Sequence, residues 1–393
     1  MKKCLSLLLM SVLFLGLTMP ALASETVSLR VWGSQEDQAL LEILVAGFKE
    51  ANPDTAYDIT LGVVGEPDAK ARYLEDPVAA ADVFAFANDQ LIDLVNADAL
   101  YEVTRNLDEV IAENSAGSIE SATLDDVLYG YPMSADNGYF LYYDKSVCSE
   151  EDVQTLDGIL AAANTAGKKV FMDVSNGWYI ASFFLGAGGT LALDENGKQV
   201  CDFNNETGIA VGEAIRAFTA DPAFLTGDDT VLQGGMGDTI CAGVSGTWNA
   251  QAMMDKLGDN YAACKLPTFT AAGEQVQMGS FIGTKVVGVN TQTANPVEAM
   301  ALAEWLTNED AQMKRFEMRG AGPSNLNVIA SDAVKADVAL SALAEQSQYG
   351  TSQKYVLGGY WGPAEAFGLA LENKDATDMQ SLLDAMVEQV TAE

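Results

Sequence analysis

The chain has 393 residues, of which 21 are Lys or Arg, 56 are Asp or Glu and none is His, so its formal net charge is −35. Without histidine, a Ser-His-Asp triad, a Cys-His dyad and a histidine-ligated zinc or copper site are all excluded. A chain this acidic repels phosphate backbones, so we expect no nucleic-acid partner, and its length is sufficient for two globular domains.

The N-terminus has the pattern of a secretory signal peptide over residues 1–23. Two lysines precede an almost wholly apolar run at 5–17, and Ala21-Leu22-Ala23 supplies small residues for cleavage after Ala23. A membrane anchor is the alternative, but the run is shorter than the roughly 20 residues that a spanning helix needs. Cys4 precedes the run, so we see no lipoprotein site. The sequence therefore predicts an exported protein, extracellular or periplasmic.

Strands, polar loops and helices alternate in the first third of the mature chain. The predicted strands are 27–32, 57–64 and 82–86. The first strand is followed by the polar loop 33–37 and by apolar residues at helical spacing from Leu40 to Phe48, and the third by the loop 87–90. This order predicts a mostly parallel sheet, and the ligand-bearing edge of such a sheet lies at the carboxyl ends of its strands. We therefore expect the two loops on one rim.

A second series of elements follows two extended segments at 129–143. Its predicted helices are 152–166, 178–185, 204–218 and 296–306, and its predicted strands include 170–174, 239–244 and 285–290. From Ser331 onward the pattern is helical, with a Gly-rich break at 358–363. The sequence predicts an α/β fold of two lobes, with the chain crossing between them more than once.

The cysteines of the mature chain are Cys148, Cys201, Cys241 and Cys264, and their spacing matches no metal site. Export permits disulfides, and the alternative is that the thiols stay free and buried. Cys241 and Cys264 each lie in or beside a short apolar run that is typical of a strand. We expect these two runs to be neighbours in a sheet and a disulfide to join them.

Large aromatic residues occur at predicted strand ends and in Gly-rich loops, where rings more often form binding surfaces than core. They are Trp32, Phe86, Trp178, Tyr179, Trp248, Tyr360 and Trp361. Short polar side chains stand beside them: Glu36, Asp37, Asn88, Asp89, Asp136, Asn137, Asn176 and Asn249. Rings that stack on sugar C–H faces, beside groups that bind hydroxyls, predict a carbohydrate cleft. Packing in the core is the alternative for each ring, and we favour it for Trp32.

Other chemistries receive less support from the sequence. Asp89 and Asp136 are candidates for the carboxylate pair of a glycosidase, but a chain with 56 acidic residues always offers such pairs. The acidic run 194–197 is better explained as a hairpin turn than as a calcium loop. The Gly-rich run 186–189 has no lysine for a phosphate loop. We expect no cofactor, no metal and no catalysis.

Several segments, in this order and spacing, resemble the extracellular solute-binding proteins of ABC importers, in the sugar-binding class that includes the maltose/maltodextrin-binding proteins (solute-binding protein family 1). The segments that carry the resemblance are 29–37, 81–89, 130–136, 246–249, 265–269 and the helix 296–306. The resemblance covers essentially the whole mature chain. It implies two lobes that close over a ligand and then dock on a membrane permease.

The resemblance also implies roles for individual residues. By position, Glu36 and Asp37 match a first-loop acid that accepts sugar hydroxyls, and Phe86 and Asp89 match an aromatic–aspartate pair. Asp136 matches an acceptor just past the first hinge. Asn176 and Trp178 match a polar–aromatic pair of the second lobe, and Trp248 and Trp361 match stacking rings. Phe86 departs from the tryptophan usual in maltose binders, and Asn176-Gly177-Trp178 from an acid-Pro-Tyr arrangement.

From these observations we expect a monomer that captures an oligosaccharide, with maltose or maltodextrin as the first candidate. A secreted carbohydrate-active enzyme and a binder of a cationic small molecule are the alternatives. We expect a first lobe of residues 24–134 and 287–322, and a second lobe of residues 135–286 and 323–393.

Overall fold

The structure is a computed structural model that describes residues 26–375 and 377–392. The predicted signal peptide, its cleavage site after Ala23 and Cys4 lie outside these residues. Within them, no helix combines the length and the apolar character that crossing a membrane requires.

The strands alternate with helices along most of the chain, as predicted. The strands are β1 (Val27–Gly33), β2 (Tyr57–Val63), β3 (Val83–Ala87), β4 (Thr123–Leu124), β5 (Val127–Leu128), β6 (Tyr131–Gly138), β7 (Phe140–Asp144), β8 (Lys169–Phe171), β9 (Leu191–Leu193), β10 (Gln199–Cys201), β11 (Phe224–Leu225), β12 (Ile240–Ser245), β13 (Tyr261–Cys264), β14 (Thr268–Ala271), β15 (Glu274–Gln277), β16 (Ser280–Val289) and β17 (Gly350–Ser352).

The helices are α1 (Gln38–Ala51), α2 (Ala69–Glu75), α3 (Leu91–Asn96), α4 (Leu107–Glu113), α5 (Ala116–Ser121), α6 (Leu156–Ala166), α7 (Gly177–Gly186), α8 (Glu206–Ala220), α9 (Asp229–Gly235), α10 (Ala250–Leu257), α11 (Pro296–Trp305), α12 (Glu309–Arg319), α13 (Leu326–Ile329), α14 (Asp332–Lys335), α15 (Val338–Gln346), α16 (Trp361–Glu372) and α17 (Met379–Val390). Single 3-10 turns follow three of the strands: Asn88–Gln90 after β3, Thr247–Asn249 after β12 and Gln353–Tyr355 after β17.

The first lobe contains a six-stranded sheet in the order β17-β16-β3-β1-β2, with β6 also paired to β16. β1 is parallel to both β2 and β3, whereas β16 is antiparallel to β3 and β6. Every residue of β3 is buried, because it lies in the middle of the sheet with helices packed against it. The apolar stripe of α1 that the sequence predicts, from Leu40 to Phe48, is buried against this sheet. The predicted parallel arrangement of the first three strands is therefore confirmed.

The second lobe contains a five-stranded sheet in the order β11-β8-β12-β7-β13. Alternate residues of β7 enter different cores: Leu141 and Tyr143 belong to one hydrophobic cluster, and Phe140 and Tyr142 to another. Successive side chains of a strand point to opposite faces, so both faces of this sheet are covered. This explains why β7 is apolar at four consecutive positions instead of alternating with polar residues.

The chain crosses between the lobes at the junction of β6 and β7 and again before β16, which returns to the first sheet. β16 pairs with β3 over Lys285–Val289 and with β17 over Ser280–Ile282. The boundary predicted between residues 286 and 287 therefore falls inside a strand of the first lobe and is wrong. The predicted second-lobe segment 323–393 also contains β17, a strand of the first sheet. Pairing between strands distant in sequence decides these assignments, and apolar patterning alone does not report it.

The predicted disulfide between Cys241 and Cys264 is wrong. Cys241 lies on β12 and Cys264 on β13, and both strands pair with β7, which separates them. Two strands that flank a third strand in a sheet are roughly 10 Å from each other. This distance exceeds the Cα separation of about 7 Å that a disulfide can span. All four cysteines of the mature chain are present as thiols in the structure.

Candidate binding cleft between the lobes

A cavity of about 850 Å³ lies between the lobes and is lined by strand, helix and loop residues of the first lobe and by helix and loop residues of the second. Its volume is within the range of roughly 300–1,000 Å³ that is typical of small-molecule sites. Ser34, Glu36 and Asp37 after β1, and Ala87 and Asp89 at the end of β3, line the same cavity. The prediction that these two loops share one rim is therefore confirmed, because both follow parallel strands of one sheet.

Most of the predicted site residues line this cavity. They are Glu36, Asp37, Asp89, Asp136, Asn176, Trp178, Trp248 and Trp361. Asn176 is the N-cap of α7, where its side-chain oxygen accepts a hydrogen bond from the backbone N–H of Trp178 at 3.0 Å. A strong N-cap residue therefore holds the first turn of the helix that presents Trp178.

Phe86, Asn88 and Asn249 do not reach the cavity, and predicting them as ligand contacts was wrong. Phe86 is in the core of the first lobe with its ring centroid 5.8 Å from that of Phe84, because β3 is enclosed on both faces. Asn88 is buried and accepts a hydrogen bond from the backbone N–H of Thr284 on β16 at 3.1 Å.

Asn249 is also buried, and it supports a cavity residue instead of lining the cavity. Its Nδ2 donates to Asp229 Oδ1 at 2.7 Å, and Asp229 Oδ2 accepts from Trp248 Nε1 at 2.9 Å. Asp229 lines the cavity and was not predicted as a site residue. The Asn249 side chain thus fixes the carboxylate that in turn fixes the orientation of the Trp248 indole.

Three tryptophans form the aromatic part of the second-lobe wall. The rings of Trp178 and Trp248 are neighbours, with centroids 5.8 Å apart, and Trp361 begins α16. Trp178 Nε1 donates to Gln353 Oε1 at 2.9 Å. By contrast, Trp32 packs against Phe84 at 6.2 Å, which agrees with the core role favoured for it. The aromatic wall presents large apolar area, while the indole N–H groups of Trp178 and Trp248 are held by protein partners, an arrangement suited to stacking.

The opposite wall carries cations that were not predicted from the sequence. Asp37 pairs with Arg315 Nε at 3.2 Å and Arg319 Nε at 3.4 Å, and both arginines lie on α12. Burial acts to raise the pKa of Asp37, but the charges of Arg315, Lys285 and Arg319 outweigh it and hold the pKa below its usual value. Asp37 is therefore a buried carboxylate fixed by two guanidinium groups.

Lys285 projects into the cavity from β16, with Nζ 5.7 Å from the ring centroid of Trp248 and 4.0 Å from a carboxylate oxygen of Glu66. Burial acts to lower the pKa of Lys285, but the carboxylates of Glu66, Asp136 and Asp37 outweigh it and raise the pKa. The sequence does contain a signal for Lys285, because it is a lysine in an otherwise apolar strand and lysine is seldom buried without a partner. For Arg315 we find no comparable signal in the sequence.

Several buried polar atoms of the cavity wall lack a partner among the described residues. Asp136 Oδ2 accepts from Thr247 Oγ1 at 2.6 Å and from the backbone N–H of Gly322 at 2.7 Å. Its Oδ1, Ser134 Oγ and Arg315 Nη2 have no hydrogen-bond partner in residues 26–375 and 377–392. An unmade hydrogen bond of a buried group costs about 1–3 kcal/mol. This combination of acceptor and donor atoms suits hydroxyl groups, which both donate and accept.

Asp89 occupies a different electrostatic setting. Its Oδ1 accepts from Gln353 Nε2 at 2.9 Å. Burial raises the pKa of Asp89 to about 7, although the hydrogen bond from Gln353 and the charge of Lys70 act to lower it. Near neutral pH this carboxyl group is therefore present in both protonation states. It can accept a hydrogen bond when ionised and also donate one when protonated.

The pattern of the bacterial extracellular solute-binding proteins matches residues 44–342. The chain belongs to this family. Among proteins of known role, the galactooligosaccharide-binding protein of Bacillus subtilis (strain 168) is 27% identical over 365 residues, which cover 88% of this chain and 84% of that protein.

Solved structures of similar solute-binding proteins share the fold. A chain solved with acarbose is 31% identical, with a TM-score of 0.86 and coverage of 94% of this chain and 99% of that chain. The maltodextrin-binding protein MalE1 from L. casei BL23, solved without ligand, is 24% identical, with a TM-score of 0.79 and coverage of 93% and 99%. The two-lobed α/β architecture is therefore confirmed.

Membership of the solute-binding family settles two further expectations. The family consists of binding proteins, so the expectation of a binding protein rather than an enzyme is confirmed. The family is also extracellular, which supports the prediction that this chain is exported.

Proposed function

We propose that this solute-binding protein captures an oligosaccharide by closure of its lobes and delivers it to the permease of an ABC importer. The observation that carries the proposal is the pairing, across one cavity, of the tryptophan wall with buried hydroxyl-binding groups. Trp178 and Trp248 offer adjoining ring faces, while Asp136 and Arg315 of the first lobe line the same cavity with a carboxylate and a guanidinium group. Sugars need both kinds of surface in one site.

Maltose or a maltodextrin is the first candidate ligand. The neighbour solved with acarbose is more than 30% identical to this chain, and neighbours of lower identity include a maltodextrin-binding protein and a Thermus thermophilus maltotriose-binding protein solved with maltotriose. A galacto-oligosaccharide is the second candidate, because the Bacillus subtilis relative is named for that ligand. A binding panel that contains both kinds of sugar distinguishes the two candidates.

The test is a thermal-shift panel on the exported chain from residue 24 onward, with maltotriose, acarbose, a β-1,4-galacto-oligosaccharide and spermidine at equal concentration. A ligand at 100 times its Kd stabilises the folded state by about 2.7 kcal/mol, a shift that the assay resolves. We expect a shift with maltotriose or acarbose. A shift with spermidine alone would replace the proposal by the cationic-ligand alternative, and no shift with any sugar would refute it.

Lobe closure and export are tested separately. Small-angle scattering should show a smaller radius of gyration when the identified sugar is added, because the lobes approach each other over the ligand. N-terminal sequencing of the secreted protein should begin at Ser24 if the signal peptide is removed after Ala23. An unchanged radius of gyration under saturating sugar would argue against capture by closure.

A further inference from the structure

Two buried thiols lie together at one edge of the β7–β12 pair. Tyr143 of β7 is opposite Ala242 of β12, which places Asp144 opposite Cys241. The turn after β7 folds back, with the backbone N–H of Cys148 donating to Asp144 O at 3.0 Å. Cys148 and Cys241 therefore meet in the same hydrophobic core, 1% and 0% exposed. The two thiols are close enough to perturb each other: Cys241 raises the pKa of Cys148, and Cys148 lowers the pKa of Cys241.

We propose that Cys148 and Cys241 form a disulfide in the exported protein. In this reaction, one cysteine thiolate attacks the disulfide of an oxidant and forms a mixed disulfide. The second cysteine thiolate then attacks the mixed disulfide, which forms the Cys148–Cys241 bond. The oxidant leaves as a reduced dithiol, and it carries the two electrons away. The compartment of an extracellular protein permits this reaction. Because both thiols are buried in the folded lobe, the exchange takes place during folding.

The remaining cysteines are not alternatives to this pairing. Cys264 is on β13, on the far side of β7 from Cys241, and Cys201 is on β10, in a separate two-stranded sheet with β9. The proposed bond would link the turn after β7 to the start of β12, two segments that the strand register and the turn already bring together. It is independent of which ligand the cleft binds.

The test uses the full chain secreted by an exporting host, denatured without reductant. Titration with a thiol reagent should find two free thiols instead of the four that residues 24–393 carry when reduced, and peptide mapping should recover Cys148 linked to Cys241. The matched double variants are C148S/C241S, which should lose the linkage, and C201S/C264S, which should keep it. Reductant should lower the Tm of the wild type and leave that of C148S/C241S unchanged. Four free thiols, or a linkage through Cys264, would overturn the proposal.

A different observation concerns one amide that joins the two cavity walls. Gln353, in the 3-10 turn after β17, is 2% exposed. Its Nε2 donates to Asp89 Oδ1 and its Oε1 accepts from Trp178 Nε1, both at 2.9 Å. Asp89 follows β3 in the first lobe, whereas Trp178 is in the first turn of α7 in the second lobe.

The chemistry of the two partners explains why an amide is found here. Asp89 Oδ1 accepts its hydrogen bond here and an indole N–H only donates, so the connecting side chain must donate at one atom and accept at another. We infer that Gln353 is a positioning residue that fixes the Trp178 ring as a wall of the cleft. This inference rests on the proposed function, because its effect on affinity requires that Trp178 contacts the sugar.

A measurement without ligand separates the bridge from the proposed function. The chain has five tryptophans, so a ¹H–¹⁵N correlation spectrum should show up to five indole N–H signals, and W178F identifies that of Trp178. In Q353L this signal should shift and exchange faster with solvent. In Q346E, a variant of a buried glutamine outside the cavity, it should remain in place. An unchanged Trp178 signal in Q353L would overturn the bridge whatever the ligand proves to be.

A double-mutant cycle then tests whether Gln353 acts through Trp178. Calorimetry with maltotriose should show that Q353L weakens binding by about tenfold in the wild-type background, as loss of a buried hydrogen bond does. In the W178F background the same change should weaken binding by less than about twofold, because the interaction is already absent. Equal effects in both backgrounds would show that Gln353 does not act through Trp178. If maltotriose does not bind the wild type, the proposed function fails, and the spectra alone decide the bridge.

Discussion

Replacing Asp37 with Asn tests whether the ion pairs of the cleft wall are structural. The Asp37 side chain is 11% exposed and pairs with Arg315, which is 3% exposed, and with Arg319, which is 22% exposed. Breaking a buried pair by removing one partner costs about 3–5 kcal/mol, because the remaining charge is left buried. Arg319 can turn toward water and Arg315 cannot. We therefore expect a loss near the lower limit, about 3 kcal/mol.

Urea unfolding measures this loss. With an m of about 3 kcal/mol/M, a loss of about 3 kcal/mol lowers the midpoint by about 1 M. The matched control is E75Q, which breaks the Arg72–Glu75 pair, where both side chains are more than half exposed, and should cost less than about 1 kcal/mol. If D37N and E75Q have equal midpoints, the buried pairs contribute nothing measurable and our interpretation of the wall is wrong.

The pH dependence of the D37N effect has a definite sign. The pKa of Asp37 is lower in the folded state than in the unfolded state, because the charges of Arg315, Lys285 and Arg319 outweigh the effect of burial. The contribution of Asp37 to stability is therefore complete above its unfolded pKa, near 4, and is lost as the pH falls through the folded pKa. The stability difference between wild type and D37N should be constant at neutral pH and shrink in acid. A difference that grew on acidification would contradict the assigned pairing.

Three further predictions concern single residues. W248A and W361A should each weaken sugar binding by about 1–3 kcal/mol in calorimetry, whereas W305A, outside the cavity, should leave affinity unchanged. F86A should lower the free energy of unfolding by about 3–5 kcal/mol, with the Kd of the folded protein unaltered, because Phe86 is a core residue. Burial raises the pKa of Asp89 to about 7, so the native state binds more protons than the unfolded state between about pH 4 and 7. The free energy of unfolding of the wild type, measured in urea, should therefore fall as the pH rises through this range. That of D89N should fall less.

The elements of the fold were predictable where a local pattern records them. The apolar spacing from Leu40 to Phe48 and the cap sequence before Trp178 each depend on residues within a few positions, and the structure has both helices. The order of strands in a sheet leaves no such local pattern in the sequence. β16 returns to the first sheet after a whole lobe of intervening chain, and β7 separates β12 from β13. The domain boundary and the disulfide pairing both failed on this point.

The cleft was predictable to the extent that its residues follow parallel strands. Asp37 and Asp89 lie after β1 and β3, and the topology of parallel strands brings such positions together. Arg315 and Gln353 reach the cavity from a helix and a short turn far along the chain, where nothing local marks them. Phe86 shows the opposite error: it is placed correctly along the strand, but its side chain points into the lobe and not toward the cavity.

Polar contacts join the two walls of the cavity in this structure. Thr247 of the second lobe donates to Asp136 of the first, Lys285 lies beside the Trp248 ring, and Gln353 joins Asp89 to Trp178. Opening the cleft breaks each of them, and water can replace every one of these polar partners. A ligand favours the closed form only through contacts it makes there and not in the open form. Under the proposed function, stacking of a sugar on Trp178 or Trp248 together with hydrogen bonds from its hydroxyls to Asp136 and Arg315 requires both lobes at once. We therefore expect these contacts, rather than the polar bridges, to supply the free energy of closure.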